Sequence, residues 1–201
     1  MTPLAALLSR RADEVAPLLL GAVLTGRGVS VRLTEVEAYL GETDPGSHAF
    51  RGVTPRTRTM YGEPAHLYVY LSYGVHACVN VVCSPAGEAS AVLLRAGEVV
   101  EGVELARGRR PTARRDAELA RGPGNLTRAL GIALTDDTAA LDGAPFALAP
   151  APHPPAPATG KRVGVSGHGG TDAFPLRFWI PGDPTVSVYR ASTPRVRVTR
   201  P

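Results

Sequence analysis

Glycine and proline, at 22 and 19 of the 201 residues, interrupt this chain so often that no long helix can run through it. Breakers at that density exclude a helical bundle and favour short elements joined by many turns and loops. The apolar share of 44% and the charged share of 20% are nevertheless those of a chain with a core, which excludes wholesale disorder. The length suits one well-buried core better than two.

Between the breakers the period of the pattern changes along the chain. Thr2 can cap a helix, Pro3 suits its first turn, Leu4, Leu7, Leu8, Val15, Leu18 and Leu19 recur near helical spacing, and Gly21 stops it. From Val31 the run VRLTEVEAYLG alternates, with Val36, Ala38 and Leu40 on one face and Glu35, Glu37 and Tyr39 on the other. A turn-rich loop follows from Gly41 to Pro64. HLYVYLSYGVHACVNVVCS then reads as a hairpin turning at Ser72-Tyr73-Gly74, and AVLLRAG as a short strand. Residues 97–121 carry helical stretches broken by Pro111, and GPGNLTRALGI is a Gly-Pro turn feeding a short helix. The Ala/Pro-rich segment 144–160 reads as an extended surface loop, and RVGV, PLRFWIPG and TVSVYR as short strands. Without regular βα alternation, the expected fold class is α+β: one domain over residues 1–201, a curved, mostly antiparallel sheet flanked by helices.

The basic residues outnumber the acidic by 22 to 18, a formal charge of +4, and all of them but Lys161 are arginine. Such a chain meets phosphates with planar guanidinium forks and has little scope for amine chemistry. Seven arginines between Arg107 and Arg128 form a tract that is either a solvated surface or a phosphate contact. Two cysteines, Cys78 and Cys83, are too few for a disulfide framework, so a reducing intracellular compartment is expected. The opening residues lack a basic stretch before their apolar run, which Arg10 and Arg11 interrupt, so no secretory signal is read there. The uncharged run 15–25 is too short to span a bilayer.

No phosphate loop of the Walker type, G-x-G-x-x-G, H-E-x-x-H or paired CxxC occurs, and neither a metal nor a cofactor is expected. The residue that least fits its surroundings is Glu37. It is either a desolvated carboxylate in a pocket wall, competent to take a proton from water, or part of a solvated face shared with Glu35. Arg95, after the apolar run AVLL, is either a snorkelling edge residue or the partner of a buried carboxylate. Tyr68 and Tyr70 share a strand face, while Tyr73 at the hairpin tip projects where it could wedge between stacked bases. Asn80 is a core amide or a polar gate reading a base edge.

Taken in order, EVEAYLG, His48, TPRTRTMYG, LYVYLSYG, a strand with Asn80, VLLRAGE, GPGNLTRALGI, RVGVSGH and PLRFWIPG closely resemble the alkyladenine (3-methyladenine) DNA glycosylase family. The resemblance runs from about Leu18 to Tyr189. It implies Glu37 as the general base that activates water, Arg95 as the arginine orienting it, and the main-chain carbonyl of Val163 as a third contact to that water. It implies Tyr39, His48 and Tyr70 as the rings that sandwich an extruded base, and Asn80 as the side chain that crowds the amino group of guanine. Tyr73 matches the residue inserted where the base has left, and Thr54, Arg56 and Met60 fall in a DNA-contacting loop. His76 and Val75 depart from the family pattern beside the hairpin.

The implied activity is that of a monomeric, monofunctional glycosylase. It would flip alkylated purines, with ethenoadenine or hypoxanthine as further candidates, out of double-stranded DNA and leave an abasic site for excision repair. Its partner would be damaged duplex DNA, not a membrane. Two other classes fit parts of the pattern. A non-catalytic nucleic-acid module would use the same Tyr and Arg surface, and a hydrolase of free nucleosides would not need Tyr73 or the Arg tract.

Overall fold

The computed structural model describes residues 2–192. The N-terminal segment forms α1 (Pro3–Leu8) and α2 (Ala12–Val15), continued by a 3-10 turn to Leu19. The strands are β1 (Val23–Gly26), β2 (Val29–Tyr39), β3 (Leu67–Ser72), β4 (His76–Val82), β5 (Ala91–Glu101), β6 (Ala120–Arg121), β7 (Asp142–Gly143), β8 (Phe146–Ala149), β9 (Ala158–Gly160) and β10 (Arg177–Trp179). Two further helices, α3 (Val103–Arg109) and α4 (Pro123–Leu130), lie between β5 and β7.

All strands join one antiparallel sheet in the order β3-β4-β5-β2-β1-β8-β7. The two long strands, β2 and β5, form its spine. On its other edge β2 pairs with β1 through Arg32 and with β10 from Glu35 onward, so it exchanges neighbours partway along its length and the sheet curls. β10 carries β9 outside it, and β6 caps β5.

Alternation along the spine separates an apolar face from a charged one. Val36, Ala38, Val92 and Leu94 enter the main core with Leu8, Val15, Leu19, Leu126 and Leu130 from the helices. Truncating one of these, as in Leu94→Ala, is expected to cost about 2–5 kcal/mol through lost transfer energy and the cavity left behind. The opposite face carries Glu35, Glu37 and Tyr39. Glu35 and Glu37 are fully buried there, while Tyr39 at the strand end is half-buried.

The α+β class and the curved antiparallel sheet agree with the sequence reading, and several boundaries differ. The N-terminal helix is broken at Ser9 to Arg11, where the Ser9 hydroxyl donates to the Ala5 carbonyl and Arg11 is extended. β5 runs to Glu101, longer than AVLLRAG. The segment 144–160 is not one loop: β8 and β9 bracket it, and Phe146 is fully buried against Gly26. Neither RVGV nor TVSVYR is a strand. Gly164 takes a φ of +71° in a turn with Val163, and the Ser187 N–H is spent on a carboxylate rather than on a strand partner.

Candidate active site

The charged face of β2 holds two carboxylates, and both are fully buried. Glu37 accepts the Val163 N–H on Oε1 at 2.7 Å and the Tyr39 hydroxyl on Oε2 at 2.9 Å. Arg95 Nε lies 3.4 Å from the same Oε1. Burial, with the Glu37 carboxylate beside it, pushes the Tyr39 phenol well above its usual range, so Tyr39 stays protonated and donates. Glu35 accepts Arg95 Nε at 3.0 Å and Arg177 Nε at 2.7 Å, and Ser187 donates both its hydroxyl and its N–H to it. Burial alone would raise the Glu35 carboxyl, but the two guanidinium groups and Ser187 outweigh it and hold Glu35 below its usual range.

The strand register explains how Arg95 reaches both acids. β2 and β5 are in step at Leu33 opposite Gly97 and at Val36 opposite Leu94. Between them Glu35 lies opposite Ala96, which leaves Thr34 and Arg95 without a partner across the strands. Arg95 lies two residues beyond Leu93, the partner of Glu37, and so shares the face of Glu35 and Glu37, where it lines a cleft of about 700 Å³.

A second buried arginine, Arg162, braces one wall of that cleft. Its Nη atoms bond both oxygens of Asp44, the Ala38 carbonyl at 3.0 Å and the Gly169 carbonyl at 2.8 Å, while its Nε has no partner among the described residues. Its guanidinium also lies 4.5 Å from the centre of the Tyr39 ring. One side chain thus ties the end of β2 to residues 44–46 and 162–170, just where Val163 turns its N–H onto Glu37. Gly46 is required here, because a Cβ would come within 2.3 Å of Arg162 Nη2.

The remaining wall is aromatic. Tyr68 and Tyr70 stack at 5.6 Å, and His48 meets the Tyr70 ring edge-on at 4.6 Å. His48 faces the Tyr68 hydroxyl through Nδ1 and Arg56 through Nε2, each at 3.2 Å. Since arginine can only donate, His48 accepts at Nε2 and carries its proton on Nδ1. Burial of the ring, and then the Arg56 charge, lower its pKa to about 4. Asn80 donates its amide to the Tyr68 carbonyl at 3.1 Å and also lines the cleft, as do Met60, Arg56 and Val163.

The β3–β4 hairpin overhangs this cleft. Tyr73 and Gly74, at φ +51° and +71°, form its tight turn, and Tyr73 is 83% exposed. A tyrosine in the left-handed region without burial is a local cost that packing does not offset. The structure therefore gathers Arg95, Tyr39, His48, Tyr70, Tyr73, Asn80, Val163, Arg56 and Met60 around one cleft, with Glu37 directly behind it. Thr54 stands apart, exposed and engaged with Thr57 in its own turn. Val163 meets the catalytic candidate through its N–H.

Some sequence readings change here. Glu35 does not lie on a solvated face. Much of the arginine tract is scaffold: Arg109, Arg110 and Arg121 donate to main-chain carbonyls, and Arg107 and Arg115 pair with Asp116 and Glu118. Asp44, Arg162, Arg177 and Ser187 were not singled out from sequence. Parity finds Glu35, which shares the strand face of Glu37, but no local pattern marks these four, whose partners lie 118 to 152 residues away.

Comparison with known proteins points the same way as the geometry. The family model described as "Methylpurine-DNA glycosylase (MPG)" matches residues 6–184. A relative from Leifsonia xyli subsp. xyli is 59% identical over 88% of this chain and 87% of its own. Relatives from Streptomyces avermitilis and Corynebacterium jeikeium are 55% and 54% identical, over 92% and 89% of this chain and 91% and 88% of theirs. All three carry the name "Putative 3-methyladenine DNA glycosylase". The chain belongs to the methylpurine-DNA glycosylase family of DNA repair hydrolases, which act on alkylated bases such as 3-methyladenine.

Proposed function

We propose that this enzyme turns an alkylated purine out of double-stranded DNA into the Tyr39–Tyr70–His48 cleft. There it hydrolyses the N-glycosidic bond with water activated by Glu37, leaving an abasic site. The observation that carries this reading is the setting of Glu37: a buried carboxylate held by the Val163 N–H and the Tyr39 hydroxyl, next to Arg95, behind an aromatic cleft. A carboxylate has about four lone-pair positions, so these contacts leave room to accept a proton from water. As the sugar gains oxocarbenium character, the fixed negative charge of Glu37 stabilises it in a site shielded from bulk solvent.

Each remaining residue has a part that follows from its chemistry. The planar rings of Tyr39, Tyr70 and His48 offer stacking faces to an unstacked base. A neutral His48 adds no positive charge that would repel a cationic alkylpurine. Asn80, fixed to the Tyr68 carbonyl, can crowd an exocyclic amino group. Tyr73 would fill the gap left in the duplex, and Arg56 and Thr54 would meet the strand nearby, while Met60, buried with Tyr68 and Ala49, would support the cleft from beneath. Lys161, the one lysine of the chain, pairs with Asp172 away from the cleft, which supports hydrolysis without a Schiff base or strand cleavage.

The test is base release from a duplex bearing a single ethenoadenine or hypoxanthine, read by alkaline cleavage, and from methylated DNA, read by mass. Purine release by the wild type, lost in Glu37→Gln with lesion binding retained, is the expected result. Undiminished turnover by Glu37→Gln would overturn the assignment. Release from free nucleosides without DNA would favour a small-molecule hydrolase instead.

A further inference from the structure

The mechanism proposed above uses Glu37 and Arg95 and gives no task to the second buried acid. Glu35 takes four hydrogen bonds, from Arg95 Nε, Arg177 Nε, the Ser187 hydroxyl and the Ser187 N–H. Arg95 Nη2 reaches the Ser187 hydroxyl at 3.4 Å, and Arg177 Nη2 donates to the Ser187 carbonyl at 2.9 Å. A guanidinium is a rigid plane, so fixing Nε and one Nη fixes the whole group. Stability alone is a poor reason for this arrangement. Buried ion pairs can often be replaced by packed apolar side chains at little cost.

We propose that Glu35 is a positioning residue for the glycosylase reaction. Together with Arg177 and Ser187 it draws Arg95 onto itself, so that Arg95 flanks Glu37 instead of closing onto it. This rests on the reading of Glu37 as the general base. Arg95 is 3.0 Å from Glu35 and 3.4 Å from Glu37. Without Glu35, the freed guanidinium would form the two-pronged pair that arginine makes with a lone carboxylate, and the oxygens of Glu37 would be occupied where water must bind.

The charged and titratable groups around Glu37 are Glu35 and Tyr39 from β2, Arg95 from β5, Arg177 from β10, Tyr70 from β3 and Arg162 from the 162–170 segment. Glu35 is the other carboxylate in that set. Removing it leaves Glu37 among more positive charge, so the acid limb of the rate profile should move to lower pH while the rate falls.

Single-turnover release of 3-methyladenine from methylated duplex DNA is measured for Glu35→Gln across pH. Affinity for a duplex carrying a tetrahydrofuran abasic analogue is measured beside it. The expected result is a rate lower by about 10- to 100-fold, as when the partner that orients a reactive group is lost. The acid limb shifts down, and affinity stays within about twofold. Because Glu35→Gln leaves two buried guanidinium groups facing one carboxylate, two further variants guard against misfolding. Glu35→Gln combined with Arg177→Gln balances the charge and should melt as a folded protein yet stay slow. Ser187→Ala leaves every charge in place and should lose about fivefold, the effect of one hydrogen bond. Wild-type rate and acid limb in any folded variant lacking Glu35, or an unchanged rate in Ser187→Ala, overturns the proposal while an inactive Glu37→Gln upholds the general base. An active Glu37→Gln would remove both.

Discussion

Arg95 hydrogen-bonds Glu35 at 3.0 Å and stands 3.4 Å from Glu37, so the guanidinium beside the proposed base is anchored to the neighbouring acid. One Nε serves both carboxylates, and a second arginine, Arg177, supplies the charge that keeps the pair of acids neutralised. The site is a four-group charge network rather than an isolated ion pair.

That network makes stability depend on acid. Glu35 is held below its usual carboxyl range in the fold, so its contribution is fully present above the unfolded value of 4.5 and is lost as pH falls through the folded one. Urea unfolding measured from pH 7 down to pH 3 should show stability falling below about pH 4.5. Glu35→Gln should flatten that part of the curve. An identical slope in the variant would show that other groups carry the acid sensitivity.

Replacing Tyr73 by asparagine should separate folding from DNA engagement. Asparagine tolerates the left-handed backbone that Tyr73 adopts, and the side chain is exposed, so the melting temperature should hold or rise slightly. Lesion-duplex affinity should drop by the value of one aromatic–base stack, about 1–3 kcal/mol or roughly 5- to 150-fold. Unchanged affinity would remove Tyr73 from the interface.

The Arg162–Asp44 clamp is expected to be costly to break. Arg162→Met leaves Asp44 as an unpaired buried charge, a loss of about 3–5 kcal/mol. At about 2–4 °C per kcal/mol for a chain of this size, calorimetry should show the melt lowered by roughly 6–20 °C. A smaller shift would mean that water enters and solvates Asp44.

His48 should titrate below its ordinary 6.5, in the direction of about 4, with more than a third of its surface left in contact with solvent to moderate the shift. Nitrogen-detected NMR should find the Nδ1–H tautomer at neutral pH. Arg56→Ala should raise the midpoint, because it removes a neighbouring positive charge. A midpoint unmoved by that change would leave burial as the whole cause.

What sequence could tell about this site depended on how far each partner lies along the chain. The strand face of Glu37 and Tyr39, the stacked Tyr68 and Tyr70, and the hairpin tip at Tyr73 follow from alternation and turn chemistry within a dozen residues. The role of Glu35 does not, because it depends on Arg177 and Ser187, 142 and 152 residues away. Arg162 sits in a run that reads as a strand, and only the fold reveals that its donors go to Asp44 and two carbonyls. The short 144–160 segment misleads through composition: proline dominates its middle, while Phe146 at its start packs into the core.

The partners of the two acids also set an order of events during synthesis. β2 leaves the ribosome early, yet Glu37 waits 126 residues for the Val163 N–H and Glu35 waits 152 for Ser187. A nascent chain that stops ahead of Ser187 lacks the residue that gives Glu35 two of its four hydrogen bonds. On the reading of Glu37 as the base, the site is complete only once residues 163–187 have been made.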